Sequence, residues 1–282
     1  MTTPRFADVA TFFRLPIVKD LNKLDYCICG VPWDGGTTNR PGARHGPREI
    51  RNSSSLVRLY HPASLKSPYE KFNVADIGDC PVNPADLQDS LKKIETFYNE
   101  IFESKTIPLT IGGDHLVSLP VLRALAKHKP VGLFQFDSHT DTYDKYFGEF
   151  KYTHGTPFRR AIEENLIDPK KYVMLGIRGS LYDPDDLTWA REQGVTIITI
   201  DDYYQMGFES VIEKIVSVLH DVPTYLTFDI DGIDPTFAPG TGTPEVGGFN
   251  VRESQIIIRA LKNINFIGGD VVEVSPPFDT NN

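Results

Sequence analysis

The stretch VGLFQFDSHTD, residues 131–141, changes character at its middle. VGLFQF is a short, almost wholly apolar run of the kind that forms a strand buried on both faces. DSHTD follows without a break and places Asp137, His139 and Asp141 at alternate positions. In extended chain alternate side chains point the same way, so these three groups aim at one volume. Two other stretches share the layout. LTIGGDHL (109–116) ends in Asp114 and His115, and LTFDIDGIDP (226–235) ends in Asp229, Asp231 and Asp234.

Outward from these stretches, short β-branched runs alternate with amphipathic ones. Strands are expected at 25–31, 107–113, 131–137, 172–177, 195–200, 224–230 and 265–274. Helices are expected at 47–57, 86–104, 117–128, 155–166, 183–193, 209–220 and 252–262. The clearest is 86–104, where Leu87, Leu91, Ile94, Tyr98 and Ile101 form a helical stripe. Doubly apolar strands separated by helices imply a parallel sheet covered on both faces. In such sheets ligands bind just beyond the carboxyl ends of the strands, where the Asp and His clusters fall. No linker or repeat divides the chain, so 1–282 is expected to be a single domain with an N-terminal arm over about 1–22.

The bulk numbers narrow the function classes. The chain has 282 residues and a net charge of -9, with no basic stripe, which disfavours nucleic acid as a partner. No apolar run is long enough to span a membrane, and MTTPRFADVATFFRLP lacks a signal-peptide core. The three cysteines, Cys27, Cys29 and Cys80, have neither disulfide nor metal spacing. A cytoplasmic location is expected.

One D-x-H or D-x-D at a strand end is weak evidence, because a lone Asp there is usually a cap or a turn. Three together are different. Burying so many carboxylates without cations would cost many kcal/mol through desolvation and repulsion. Asp137, Asp141, Asp229 and Asp231 carry four negative charges, which two divalent cations balance. His115 and His139 add a neutral ligand for each. An oxygen-rich set without thiolate suits Mn²⁺, with Ni²⁺ or Co²⁺ as alternatives, better than structural zinc. Two such ions ~3.5 Å apart can hold a hydroxide at neutral pH, the basis of a hydrolytic site.

These motifs resemble the signatures of the ureohydrolases: arginase, agmatinase and the guanidino-acid hydrolases. The matching residues are GGDH (112–115), DSHTD (137–141), THGTPFRRA (153–161), TFDIDGIDPTFAPGTGTPE (227–245) and DVVEVSPPFD (270–279). The likeness is to the agmatinase branch, and PWDGGTTNRPGARHGPRE (32–49) resembles bacterial guanidinopropionases and guanidinobutyrases. It implies a three-layer α/β/α sandwich with a mainly parallel eight-stranded sheet, two Mn²⁺ ions, and trimers or hexamers. It also implies hydrolysis of a guanidino group to urea and an amine, on a short guanidino acid or, alternatively, agmatine. One metal would be held by His115, Asp137, Asp141 and Asp229, and the other by Asp137, His139, Asp229 and Asp231. A closing helix is expected beyond residue 282. Ser138 stands where the family usually has Ala, and is expected to point away from the ligands.

Further residues carry two readings each. His154 is a proton shuttle or a helix-capping histidine. Glu273 anchors the substrate guanidinium or pairs with a neighbouring arginine. Asp141 would also take a proton from the nucleophile. Arg40 and Arg44 hold a substrate carboxylate or make structural pairs with Glu49 and the acidic rim. Tyr146 would shorten the pocket, Glu245 could steer substrate at its mouth, and Asp234 is expected to form a turn before Pro235. His45, His61, His128 and His220 are expected to be structural. The rivals are a one-zinc deacetylase-like amidohydrolase and a catalytically silent assembly subunit. The full set of six ligands speaks against both. A nucleotide site at GTGTPEVGG lacks the P-loop lysine.

Overall fold

The computed structural model describes residues 4–280. Its elements alternate as expected: β1 (Tyr26–Gly30), α1 (Gly46–Ser54), β2 (Val74–Asp79), α2 (Leu87–Glu103), β3 (Ile107–Ile111), α3 (Ser118–Leu125), β4 (Val131–Phe136), α4 (Pro157–Glu163), β5 (Ile167–Ile177), α5 (Thr188–Gln193), β6 (Thr196–Thr199), α6 (Ile200–Met206), α7 (Phe208–Leu219), β7 (Thr224–Asp229), α8 (Val251–Ala260) and β8 (Phe266–Val272). The strands form one eight-stranded sheet in the order β2-β1-β3-β8-β7-β4-β5-β6, and every neighbouring pair is parallel.

The pleat of β4 builds the layers. Val131 and Leu133 face one side, with Leu91 and Ile94 of α2 and Leu119 and Leu122 of α3. Phe134 and Phe136 face the other, with Val211 and Ile215 of α7 and Ile257 of α8. Each of these fully buried side chains contributes on the order of 1.5–3 kcal/mol of apolar burial, and neither face is left to water. The helix α2 starts where Asp86 accepts a bond from Asp89 N, and its stripe of Leu91, Ile94, Tyr98 and Ile101 is buried.

Two elements depart from the sequence reading. Seven strands were expected, and the eighth, β2, is the acid-bearing segment VADIGD at the sheet edge. Asp76 breaks its apolar run, yet it is buried because Arg51 Nε (2.9 Å) and Phe12 N (3.0 Å) both donate to it. Inward charge on an edge strand deters pairing with other chains. The helix α6 was not expected, and its first residue, Ile200, was read as the end of a strand, although Thr199 and Asp202 form a reciprocal cap that starts it. The expected arm ahead of β1 holds two short 3-10 turns, one of which buries Phe12 under the Arg51 guanidinium. The closing helix expected beyond residue 282 lies outside the described residues. Among those described, no helix is long and apolar enough to cross a membrane.

Candidate metal centre and cleft

Four adjacent central strands, β3, β8, β7 and β4, end at one place. The ends of β3, β4 and β7 and the segments after them bring His115, Asp137, His139, Asp141, Asp229 and Asp231 together, and Glu273 follows β8. His115 Nδ1 lies 3.2 Å from Asp137 Oδ2, 2.8 Å from Asp141 Oδ2 and 3.1 Å from Asp229 Oδ2. That nitrogen is buried and has no hydrogen-bond partner. A bare ring nitrogen facing three carboxylate oxygens fits a cation. Beside it, His139 Nδ1 lies 3.1 Å from Asp231 Oδ2 and 3.7 Å from Asp137 Oδ1. Two groups therefore could hold an ion, His115–Asp137–Asp229 and Asp137–His139–Asp231, and they share Asp137.

Charge makes the same point. Burial first, and then the charges of Asp141 and Asp231, push Asp137 up to about 7. Asp229 is driven well above the carboxylate range by burial and by Asp231 and Asp137. Burial opposes a charge on His115 and on His139, but the surrounding carboxylates raise both. Asp231 is pushed up by burial and pulled below its ordinary value by His139 and Ser138. A cluster that must hold protons to remain buried is one that divalent cations would relieve.

Further bonds hold the carboxylates in place. Asp137 accepts from His139 N (2.7 Å) and from Gln135 Nε2 (2.7 Å). Asp229 accepts from Asp231 N at 2.8 Å. Ser138 corrects an expectation. Its hydroxyl does not point away from the ligands but donates to Asp231 Oδ1 at 2.6 Å and lies 3.0 Å from His139 Nδ1. Strand geometry ends at Phe136, so the alternation of faces does not carry through residue 138. Two acids also sit on left-handed backbone, Asp141 at φ 51° and Glu273 at φ 60°. Such strain costs on the order of 1–3 kcal/mol for a non-glycine residue and clusters at functional sites.

Above this floor opens a cleft of about 510 Å³, lined in part by His154, Glu273, Tyr146, Arg40 and Glu245. Glu273 Oε1 accepts from His115 N (2.8 Å) and pairs with His154 Nδ1 (2.9 Å), and neither contact uses Oε2. Thr38, which was not singled out in the sequence, meets the other ring nitrogen: its hydroxyl lies 2.8 Å and its N–H 3.2 Å from His154 Nε2. Burial lowers His154, but the Glu273 charge outweighs it and holds the imidazole up at about 9.

The rim differs from expectation in part. Arg40 lines the cleft, but its Nε and Nη2 donate to the carbonyls of Gly242 and Thr241 at 2.8 Å, and its guanidinium lies over Phe278. Arg44 is not brought to the cleft, because Asp34, fully shielded beneath it, takes its Nε. The pairing with Glu49 considered for it is not formed. Glu245 faces His139 Nε2 at 3.7 Å. Tyr146 packs edge-to-face against Tyr143 and Tyr182. Asp114 caps the turn that carries His115 and ties down Gly36 N, at 2.6 Å. Asp234 accepts from Thr236, Gly247 and Gly248 N and is held down at about 2 by Thr236 first, the turn role expected of it. Of the structural histidines, His220 ends α7 and His45 precedes α1.

The arginase family model matches residues 24–282. The chain belongs to the arginase family. It is 54% identical to the guanidinopropionase of Pseudomonas aeruginosa over 98% of this chain and 87% of that one. It is 45% identical to the guanidinobutyrase of the same organism, over 98% and 88%. The solved structure of proclavaminate amidino hydrolase from Streptomyces clavuligerus superposes with a TM-score of 0.95 at 37% identity, covering 99% of this chain and 93% of that one. This arginase-family member is accordingly a hydrolase of the ureohydrolase type, built on the three-layer α/β/α fold that its motifs imply. Its resident groups of carboxylates and histidines are those a metal pair would require.

Proposed function

We propose that the enzyme hydrolyses a short guanidino acid, 3-guanidinopropionate before 4-guanidinobutyrate, to urea and the corresponding amino acid. The observation that carries this is the coincidence of a shared-carboxylate pair of ion-holding groups with a buried carboxylate, Glu273, that keeps one oxygen free at the cleft. The 54% identical relative supports the three-carbon substrate, and the tyrosines around Tyr146 support a shortened cleft.

Two Mn²⁺ ions held by the six ligands would supply Lewis acidity and make water reactive at neutral pH. The protein's own groups do the rest. Glu273 receives the planar, forked N–H donors of the guanidinium through Oε2. Asp141 takes the proton of the attacking water as the new C–O bond forms. His154 delivers a proton to the departing nitrogen as the C–N bond breaks. A bound guanidinium screens Glu273, weakening its hold on the His154 proton, so binding readies that proton for transfer. Arg40 keeps one nitrogen, Nη1, for a substrate carboxylate. Glu245 would steer the cation inward. We read the enzyme as a cytoplasmic homo-oligomer, a trimer or hexamer.

The test is kcat/KM on 3-guanidinopropionate, 4-guanidinobutyrate, agmatine, arginine and guanidine, with Mn²⁺ and Ni²⁺ in parallel. A guanidino acid should lead the panel. An agmatine optimum would sink the carboxylate assignment, and full activity after exhaustive chelation would sink the metal assignment.

A further inference from the structure

Asp270 lies in the middle of β8, fully buried, and the hydrolysis scheme gives it no task. Its strand neighbours are Thr110 on β3 and Thr227 on β7. Three hydroxyls converge on its carboxylate: Thr227 Oγ1 on Oδ1 at 2.6 Å, and Ser118 Oγ (2.7 Å) and Tyr225 Oη (3.0 Å) on Oδ2. No cation is among these partners. A buried carboxylate hydrogen-bonded by hydroxyls alone is costly to keep, since burial raises its pKa and the nearby His115 charge and the three donors only partly offset that.

Thr227 links this carboxylate to the metal-binding groups. The same Oγ1 that donates to Asp270 lies 2.7 Å from His115 Nε2. A hydroxyl has one proton, and here it goes to Asp270. The oxygen must then accept at its other contact, so His115 Nε2 carries a proton. In the neutral ring that leaves Nδ1 as the bare nitrogen, and Nδ1 is the atom facing Asp137, Asp141 and Asp229. The opposite tautomer would put two lone pairs against each other at Thr227 and a proton where a cation must sit.

We propose that Asp270 is a positioning residue which, through Thr227, fixes the tautomer and ring plane of His115 and so sets the affinity of the first metal position. The proposal rests on the two-cation reading of the cleft floor. Outer partners of a metal-binding histidine commonly contribute about 10- to 100-fold in metal affinity. His139, at the second position, has its polar contacts with Ser138, Asp137, Asp231 and Glu245 rather than with Thr227 or Asp270, so that position should be left alone.

The experiment measures Mn²⁺ stoichiometry and affinity by calorimetry, and the spin-coupled Mn²⁺ pair by EPR, on the full chain. Thr227→Val should weaken one of the two sites by about 10- to 100-fold and replace the coupled spectrum with that of an isolated ion at limiting metal. Thr227→Ser should restore both. Asp270→Asn should behave like Thr227→Val. If that variant does not fold, the Thr227 pair decides alone. Ser118→Ala and Tyr225→Phe remove only the bonds to Oδ2, so they should lower the melting temperature while keeping both sites. Two ions at wild-type affinity in Thr227→Val would overturn the proposal alone, as would an equal loss in Ser118→Ala, the mark of a purely structural staple. A wild-type chain that takes up fewer than two ions would overturn the metal reading first, and this one with it.

Discussion

The floor and the rim of the cleft are built by different means. The floor residues leave the ends of three central strands, β3, β4 and β7, are almost all buried, and are tied down by short bonds at the cluster. The rim residues sit on loops, and their polar groups are largely engaged elsewhere, Arg40 with two carbonyls and Tyr143 with Asp186, while Arg44 lies off the cleft, held by Asp34. Tyr182 is 82% exposed. A strand end can hold a group to a fraction of an ångström, which the reacting centre needs, whereas loops can change chain-length preference without disturbing it. On the proposed function, the chemistry and the substrate choice would be carried by separable parts of one cleft.

That separation can be broken or sharpened by mutation. Asp137→Ala removes the ligand common to both ion-holding groups. It should cut metal content per chain and lower kcat by about 10³-fold or more, since lost Lewis-acid stabilisation amounts to several kcal/mol and each 1.4 kcal/mol is tenfold. His154→Asn should lower kcat by about 10²-fold while metal content, measured by elemental analysis, stays at the wild-type level. Tyr146→Ala should leave the floor intact and move the ratio of kcat/KM between four- and three-carbon acids by about tenfold towards the longer acid, the scale of one methylene in a pocket. Arg44→Ala should change kcat/KM by less than about twofold while lowering the melting temperature, because it leaves the buried Asp34 with backbone donors but without its cationic partner. A large loss of substrate affinity in Arg44→Ala would instead place that side chain in the substrate-binding part of the cleft.

His154 also gives a pH signature. Its folded pKa, about 9, is raised above the ordinary 6.5. The stability from its pairing with Glu273 is therefore fully present below pH 6.5 and lost as pH rises through about 9. Metal-free wild type should lose more thermal stability across that interval than metal-free His154→Asn. Parallel melting curves would show the pair to be energetically silent.

The layered fold and the six floor residues were readable because both rest on local periodicity. Alternating Asp and His at the ends of apolar runs marks Asp137, His139, Asp141, Asp229 and Asp231, the GGDH motif marks His115, and helical spacing marks α2. Strand β2 was not readable, because its burial of Asp76 depends on Arg51 and Phe12, far away in sequence. Thr38 touches His154 across 116 positions and Thr227 touches His115 across 112, and no local pattern announces either pair. Ser138 failed for the opposite reason. The alternation rule was extended two residues past the strand, into chain that had already turned. The α6 cap, T-x-x-D at 199–202, was present as a local signal and was masked by the apolar run before it.

The position of β8 has a consequence for how the enzyme comes into being. It is synthesised last of the eight strands, yet it belongs in the middle of the sheet, between β3 and β7. Until it inserts, those two central strands present open edges to the cell. Parallel pairing between strands so distant in sequence is slow to form. A nascent chain that has emerged only as far as β7 holds all six floor residues but lacks Glu273 and the slot that aligns them. The window between synthesis of β7 and insertion of β8 is therefore one in which the chain is exposed to aggregation and to capture by chaperones.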